Sequence, residues 1–210
     1  MLTTPRLMAI ALCAALNFSI GSIVYLIKLP IYLDSIGTIL CALLLFPDRR
    51  AGFVCAWISG ALSLVLSGLL INPFVPWFEM TDVAIALLSA FVITGGAETF
   101  RARPVPTLAF AIKVVLYGIV TGVVAAVVSA PVVVYLFGGV TGSGSAFLVA
   151  LFLKTGQQLM NAAILSGLAA DPFDKTLQVL FAALLYRATP TDFIAMLRTN
   201  HDLAATTDNT

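Results

Sequence analysis

The sequence predicts an all-α, polytopic membrane protein: a bundle of six transmembrane helices with an additional apolar, re-entrant segment. Three observations predict it. Of the 210 residues 60% are hydrophobic and 10% charged, with a mean hydropathy of +1.06, well outside the range of soluble domains. The apolar residues fall into runs near the length of about 20 that a bilayer crossing requires. The basic residues gather at alternate ends of those runs, as they do in membrane helices of defined orientation. One integral membrane domain covers residues 1–190, and 191–210 reads as a polar, disordered tail.

Residues 7–27, between Arg6 and Lys28, form the first span. The run is too long for a signal-peptide core and no small-residue cleavage site interrupts it, so it is expected to stay as a helix. Ala11 and Ala15, four apart, stack on one helical face in the small-xxx-small pattern that lets helices approach closely. Asn17, near the middle, needs a polar partner.

The stretch Leu29 to Pro47, LPIYLDSIGTILCALLLFP, follows. Its apolar part, 35–46, is too short to span unless 29–33 enters the membrane as non-helical chain, which is tolerated only where protein or a wet cavity covers it. Asp34 stands at its mouth. Either it lines a pocket open to one side of the membrane, or it belongs to an interfacial helix cap with Ser35; a capping residue can do both.

The turn Pro47-Asp48-Arg49-Arg50 leads into a third helix over 51–71, seamed with Gly52, Gly60, Ser63, Ser67 and Gly68. The loop NPFVPWFE, 72–79, reads as an interfacial aromatic belt or as a lid or pocket wall, with Asn72, Glu79 and Asp82 placed to orient a ligand. A fourth helix spans 80–98. The run 107–137 exceeds one simple crossing, and Pro131 is expected to kink or end it, while Lys113 can snorkel back toward Arg101.

Gly138 to Ser145, GGVTGSGS, reads as a flexible linker and lacks the Lys-Ser/Thr of a phosphate-binding loop. In the apolar segment 146–168, Lys154, Gln157, Gln158 and Asn161 follow i, i+3, i+4, i+7 spacing, so on a helix they share one face that must meet a cavity or another polar helix. The last apolar segment, 176–186, is introduced by Asp171-Pro172-Phe173-Asp174-Lys175 and closed by Arg187 and Pro190.

With the amino terminus cytoplasmic, six spans, and 146–168 tucked into the outer half, Arg6, Arg49, Arg50, Arg101, Arg103, Lys113, Arg187 and Arg198 lie inside. Lys28, Lys154 and Lys175 lie outside. Eight of the eleven basic residues on one side fits the positive-inside rule better than a seven-span arrangement does. Asp34, the aromatic loop and the Lys154 to Asn161 stripe then meet on the outer side.

Several function classes drop out. A net charge of +1 gives no basic face for nucleic acid. Cys13, Cys41 and Cys55 sit in apolar segments and read as small buried hydrophobes. The only histidine, His201, falls in the tail, which argues against a histidine-based metal site or a Ser/His hydrolase. No cofactor, metal or catalytic constellation is indicated. Glu79 and Asp82 are read as acidic residues complementing a helix dipole.

The order of features resembles the S component, the substrate-binding membrane subunit, of energy-coupling factor vitamin transporters. The likeness is carried by Ala11 and Ala15, LPIYLDSIGT at 29–38, the short second helix ending at Pro47, and DPFDKTLQVL at 171–180, and covers about residues 7–190. The resemblance implies a six-helix subunit of the cell membrane that captures a vitamin or similar small molecule from outside. It also implies docking, through Ala11 and Ala15, on a transmembrane coupling subunit driven by two ATPases. Asp34, Asn72, Lys154, Gln157, Gln158 and Asn161 are the candidate substrate-binding residues. A membrane ligand sensor that signals through a partner protein is the alternative, and an intramembrane enzyme the poorest fit.

Overall fold

The computed structural model describes residues 2–104 and 107–198, and every regular element among them is helical. The helices are α1 (Thr4–Leu26), α2 (Ile36–Leu45), α3 (Arg49–Leu70), α4 (Glu79–Phe91), α5 (Ala97–Arg101), α6 (Thr107–Tyr135), α7 (Ser145–Lys154), α8 (Leu159–Ala188) and α9 (Thr191–Arg198). Short 3₁₀ turns, Val75–Phe78 and Ile93–Gly96, lead into α4 and α5. By length and composition four stretches are fit to cross a membrane: Thr4–Leu26, Arg49–Leu70, Val75–Arg101 and Thr107–Tyr135. A fifth is added if α8 and α9, bent by 98° at their junction, count as one. Large apolar side chains on them face outward, among them Leu69 and Leu108, which is compatible with lipid contact.

Hydrogen bonds of the basic side chains define one end of the bundle. Arg6 donates to the Leu197 carbonyl at 3.1 Å and pairs with Asp48 at 3.5 Å. Arg101 donates to the carbonyls of Tyr186 and Thr189, Arg187 to that of Ala102, and Arg198 to that of Leu44. The start of α1, the end of α2, α5, the end of α8 and α9 therefore meet at this basic end. Lys113 reaches toward α5, its Nζ donating to Thr99 Oγ1 at 2.7 Å.

α2 is the central element. Its ten residues rise only about 15 Å, too short to cross a bilayer alone, and nine of them are buried. Burial on that scale requires close neighbours: a Cβ at Gly37 would run into the carbonyl of Cys13 in α1. In a bilayer, whose lipid tails are as apolar as leucine, helix association would depend on such backbone approach rather than on hydrophobic transfer. The same device joins α6 to α8. Gly118 and Gly122 lie one turn apart on α6, and a Cβ on either would collide with Thr176 or Pro172 of α8.

Three expectations are corrected. α6 continues to Tyr135, so Pro131 does not end it. The segments 146–168 and 176–186 are instead a short α7 and a 30-residue α8 that runs through Pro172; Thr176 Oγ1 donates to the Pro172 carbonyl at 2.7 Å inside it. The chain from 191 is not disordered at its start, because Ile194 and Leu197 of α9 are buried against the basic end. The rest of the expected tail, with His201, lies outside the described residues.

Candidate functional site

At the end of the bundle opposite the arginines, α1, α3, α4, α6 and α8 surround a partly open cavity of about 150 Å³. Its wall includes Tyr25, Tyr32, Asp34, Asn72, Phe78, Thr81, Asp82, Phe137, Ser143, Asp171 and Lys175. Asp34 and Asn72 are the predicted site residues that it brings together.

The floor is built by one face of α8. Asp171, Asp174, Lys175 and Gln178 occur at i, i+3, i+4, i+7 and all four are buried. Asp174 Oδ1 accepts from the backbone N–H of both Tyr32 and Leu33 at 3.0 Å, and its Oδ2 accepts from Gln178 Nε2 at 2.8 Å. Gln178 Oε1 accepts from Ser35 N at 3.1 Å. These bonds hold the chain between α1 and α2, where Leu33 takes a left-handed φ of +50° that an unsupported leucine avoids. Lys175 Nζ lies 3.1 Å from the buried Asp174 and 3.3 Å from the partly exposed Asp34, closing a charge cluster at the cavity.

The first amides of α2 are satisfied from other helices. Gly37 N donates to Asn17 Oδ1 at 2.6 Å, and Asn17 Nδ2 donates to Thr38 Oγ1 at 3.0 Å, which gives Asn17 the polar partners its position demands. Ser35 stands at the N-cap without a side-chain bond to the helix. Asp34 does not cap either: it accepts from Ser35 Oγ and Lys175 and lines the cavity. Of its two readings, pocket wall is the one the geometry carries.

Asn72 Oδ1 accepts from Phe74 N at 3.0 Å, which shapes the aromatic loop, and its Nδ2 faces the Tyr25 hydroxyl at 3.5 Å. Phe78 of that loop stacks on Phe137, with ring centroids 5.8 Å apart. The loop is thus a pocket wall, although Trp77 still points outward as a belt residue would. The glycine-rich stretch is a wall as well. Tyr32 Oη and Ser145 Oγ are 2.6 Å apart, and Thr141, Ser143 and Ser145 form a hydroxyl chain behind them. Gly142 offers its carbonyl to Lys28 Nζ at 2.5 Å.

Asp82 is the residue with the largest unmet demand. It is 7% exposed, its Oδ1 accepts a single 3.5 Å bond from Thr38 Oγ1, and its Oδ2 has no partner. Ser22 Oγ and Thr81 Oγ1, also in the wall, have none. Gly60 of α3 makes room for the Asp82 carboxylate, since a Cβ there would overlap it.

Lys154, Gln157, Gln158 and Asn161 do not share a helical face and do not line the cavity. α7 stops at Lys154, and Gly156 takes φ +86° while its N–H bonds Leu153 O and the N–H of Gln157 bonds Phe152 O. That pattern is a glycine-terminated helix end, and it leaves all four residues exposed on a turn before and at the start of α8. The correct stripe has the same spacing seventeen residues further on. Pro172 hid it from a reading that ends helices at proline. Among the described residues no group of three His, Cys, Asp or Glu side chains is arranged to hold a metal ion, and the three cysteines are free and buried.

Chemically, the arrangement can bind: it offers acidic and hydroxyl groups beside aromatic faces in a cleft with a rigid floor. No family model, curated protein or solved structure matches this chain.

Proposed function

We propose that this protein is the substrate-binding S component of an energy-coupling factor type transporter, a multi-pass subunit of the cell membrane that captures a vitamin or similar small molecule from outside. The observation that carries the reading is the cavity with its unpaired Asp82, opening at the end of the bundle opposite the arginines. With the basic end cytoplasmic, as the positive-inside rule directs, the amino terminus is inside and the cavity faces out. Six crossings follow if α2 and the extended chain before it count as one, together with α1, α3, α4 with α5, α6 and α8.

Docking on a coupling subunit with two ATPases would use α1. Ala11 and Ala15 are exposed there, while Ala9, Cys13 and Ala14 face the core. The small side chains are therefore free for a partner helix rather than spent on the fold's interior. The protein itself performs no chemistry in this reading; it binds and hands over its cargo. Isolation of the protein in mild detergent, with identification of what accompanies it, tests the proposal. A coupling subunit and ATPases support it, whereas a kinase or cyclase assigns the protein to sensing.

A further inference from the structure

We propose that the ligand of this cavity is a single flat ring bearing an amino or cationic nitrogen and no acidic group, and that Asp82 receives that nitrogen. The inference rests on the reading of the cavity as a binding site and names the chemistry it selects.

Size comes first. A cavity of about 150 Å³ is of the order that holds one benzene-sized ring. Tyr25, Tyr32, Phe78 and Phe137 line it, so its walls offer aromatic faces on which a flat ring or a cation is stabilised.

Charge then selects the kind of ring. Asp34, Asp82 and Asp171 line the cavity against one cation, Lys175. That cation is engaged already, 3.1 Å from Asp174 and 3.3 Å from Asp34, so it is not available to a carboxylate or phosphate on a ligand. No described cation pairs with Asp82 or Asp171. An anionic ligand would find no free cation to pair with, whereas burial without a counter-ion disfavours an ionised Asp82 and a cation beside it restores that charge. A cationic one would supply the missing counter-charge.

The unpartnered atoms point the same way. An ionised carboxylate is an acceptor only, and a buried one is ordinarily bonded through both oxygens. Asp82 Oδ2 lacks a partner in a residue that is only 7% exposed, with its carboxylate packed over the bare backbone of Gly60, so water does not meet its demand. Thr81 Oγ1 and Ser22 Oγ, beside it in the wall, can accept or donate as the rest of the ring requires.

The test uses the full chain purified in detergent and four single-ring probes: benzamidine and 4-aminopyridine, which carry donors and positive charge, benzoate, and benzyl alcohol. Binding is measured by calorimetry for the native protein and for Asp82→Asn, with Asp171→Asn as a second variant should the first not fold. The inference predicts that at least one of the two cations binds, at least tenfold more tightly than benzoate, and that Asp82→Asn, or Asp171→Asn in its place, weakens this binding at least tenfold. Benzoate binding as tightly as the cations, cation binding indifferent to the substitution, or no binding by any probe overturns it. Tight benzoate binding would leave the importer proposal standing, because that proposal is judged by the accompanying proteins.

Discussion

Replacing Asp174 by alanine should release the chain between α1 and α2, and the structure sets the size of the effect. The side chain is fully buried and accepts from Tyr32 N and Leu33 N at 3.0 Å, from Gln178 Nε2 at 2.8 Å, and pairs with Lys175 at 3.1 Å. Its loss leaves two amides and a buried ammonium short of a partner. Each unsatisfied buried donor costs about 1–3 kcal/mol, and breaking a buried ion pair about 3–5 kcal/mol. Lys175 keeps Asp34, and the terms overlap, so the total is about 3–5 kcal/mol. At 2–4 °C per kcal/mol for a chain of this size, the midpoint falls by roughly 6–20 °C. Asp174→Asn keeps an acceptor for the two amides and should cost about half as much. The assay is thermal unfolding in detergent followed with a thiol-reactive fluorophore, because Cys13, Cys41 and Cys55 are buried and become reactive only when the bundle opens. An alanine variant that unfolds within the error of the native protein would refute the assignment of Asp174 as the anchor of this segment.

Three further outcomes are expected. Gly118→Leu or Gly122→Leu should lower stability by about 2 kcal/mol or more, since either side chain collides with Thr176 or Pro172 of α8; unchanged unfolding would mean that α6 and α8 separate at no cost. Gln158→Leu and Asn161→Leu, on an exposed turn, should shift stability by less than about 0.5 kcal/mol and leave ligand affinity unaltered, which calorimetry and the thiol assay read together. A cysteine placed at Gln157 in intact cells should react with a membrane-impermeant reagent and one at Arg103 should not; reversed labelling would invert the bundle.

Much of the fold was legible in the sequence because the bilayer imposes length and charge rules on every span. The runs 7–27, 51–71 and 80–98 correspond to α1, α3 and the α4–α5 stretch within a few residues. Asn17 announced its need for partners, and Asp34 and Asn72 do reach the cavity. What the sequence hid follows from proline and glycine. Asp171-Pro172-Phe173-Asp174-Lys175 was read as the lead-in to the last apolar segment, yet α8 runs through Pro172, whose backbone packs at Gly122 of α6. The true polar stripe, Asp171, Asp174, Lys175 and Gln178, was therefore split between a linker and a helix. Conversely, one glycine at position 156 ended the helix on which Lys154 to Asn161 had seemed to align. Asp82 was placed correctly in the first turn of its helix, but its unpaired oxygen is a tertiary property that no local pattern reveals.

Replacement of both Ala11 and Ala15 by tryptophan addresses the central claim, since the two alanines face outward from α1 and the cavity lies among other residues. The measurement is mass spectrometry of the native protein and this variant, each isolated in mild detergent from the same membranes and analysed for both associated proteins and retained small molecule. The account predicts that the native protein carries a coupling subunit and ATPases, and that the variant loses them while keeping its ligand. Loss of ligand and proteins together, or ATPases retained in full by the variant, would contradict it.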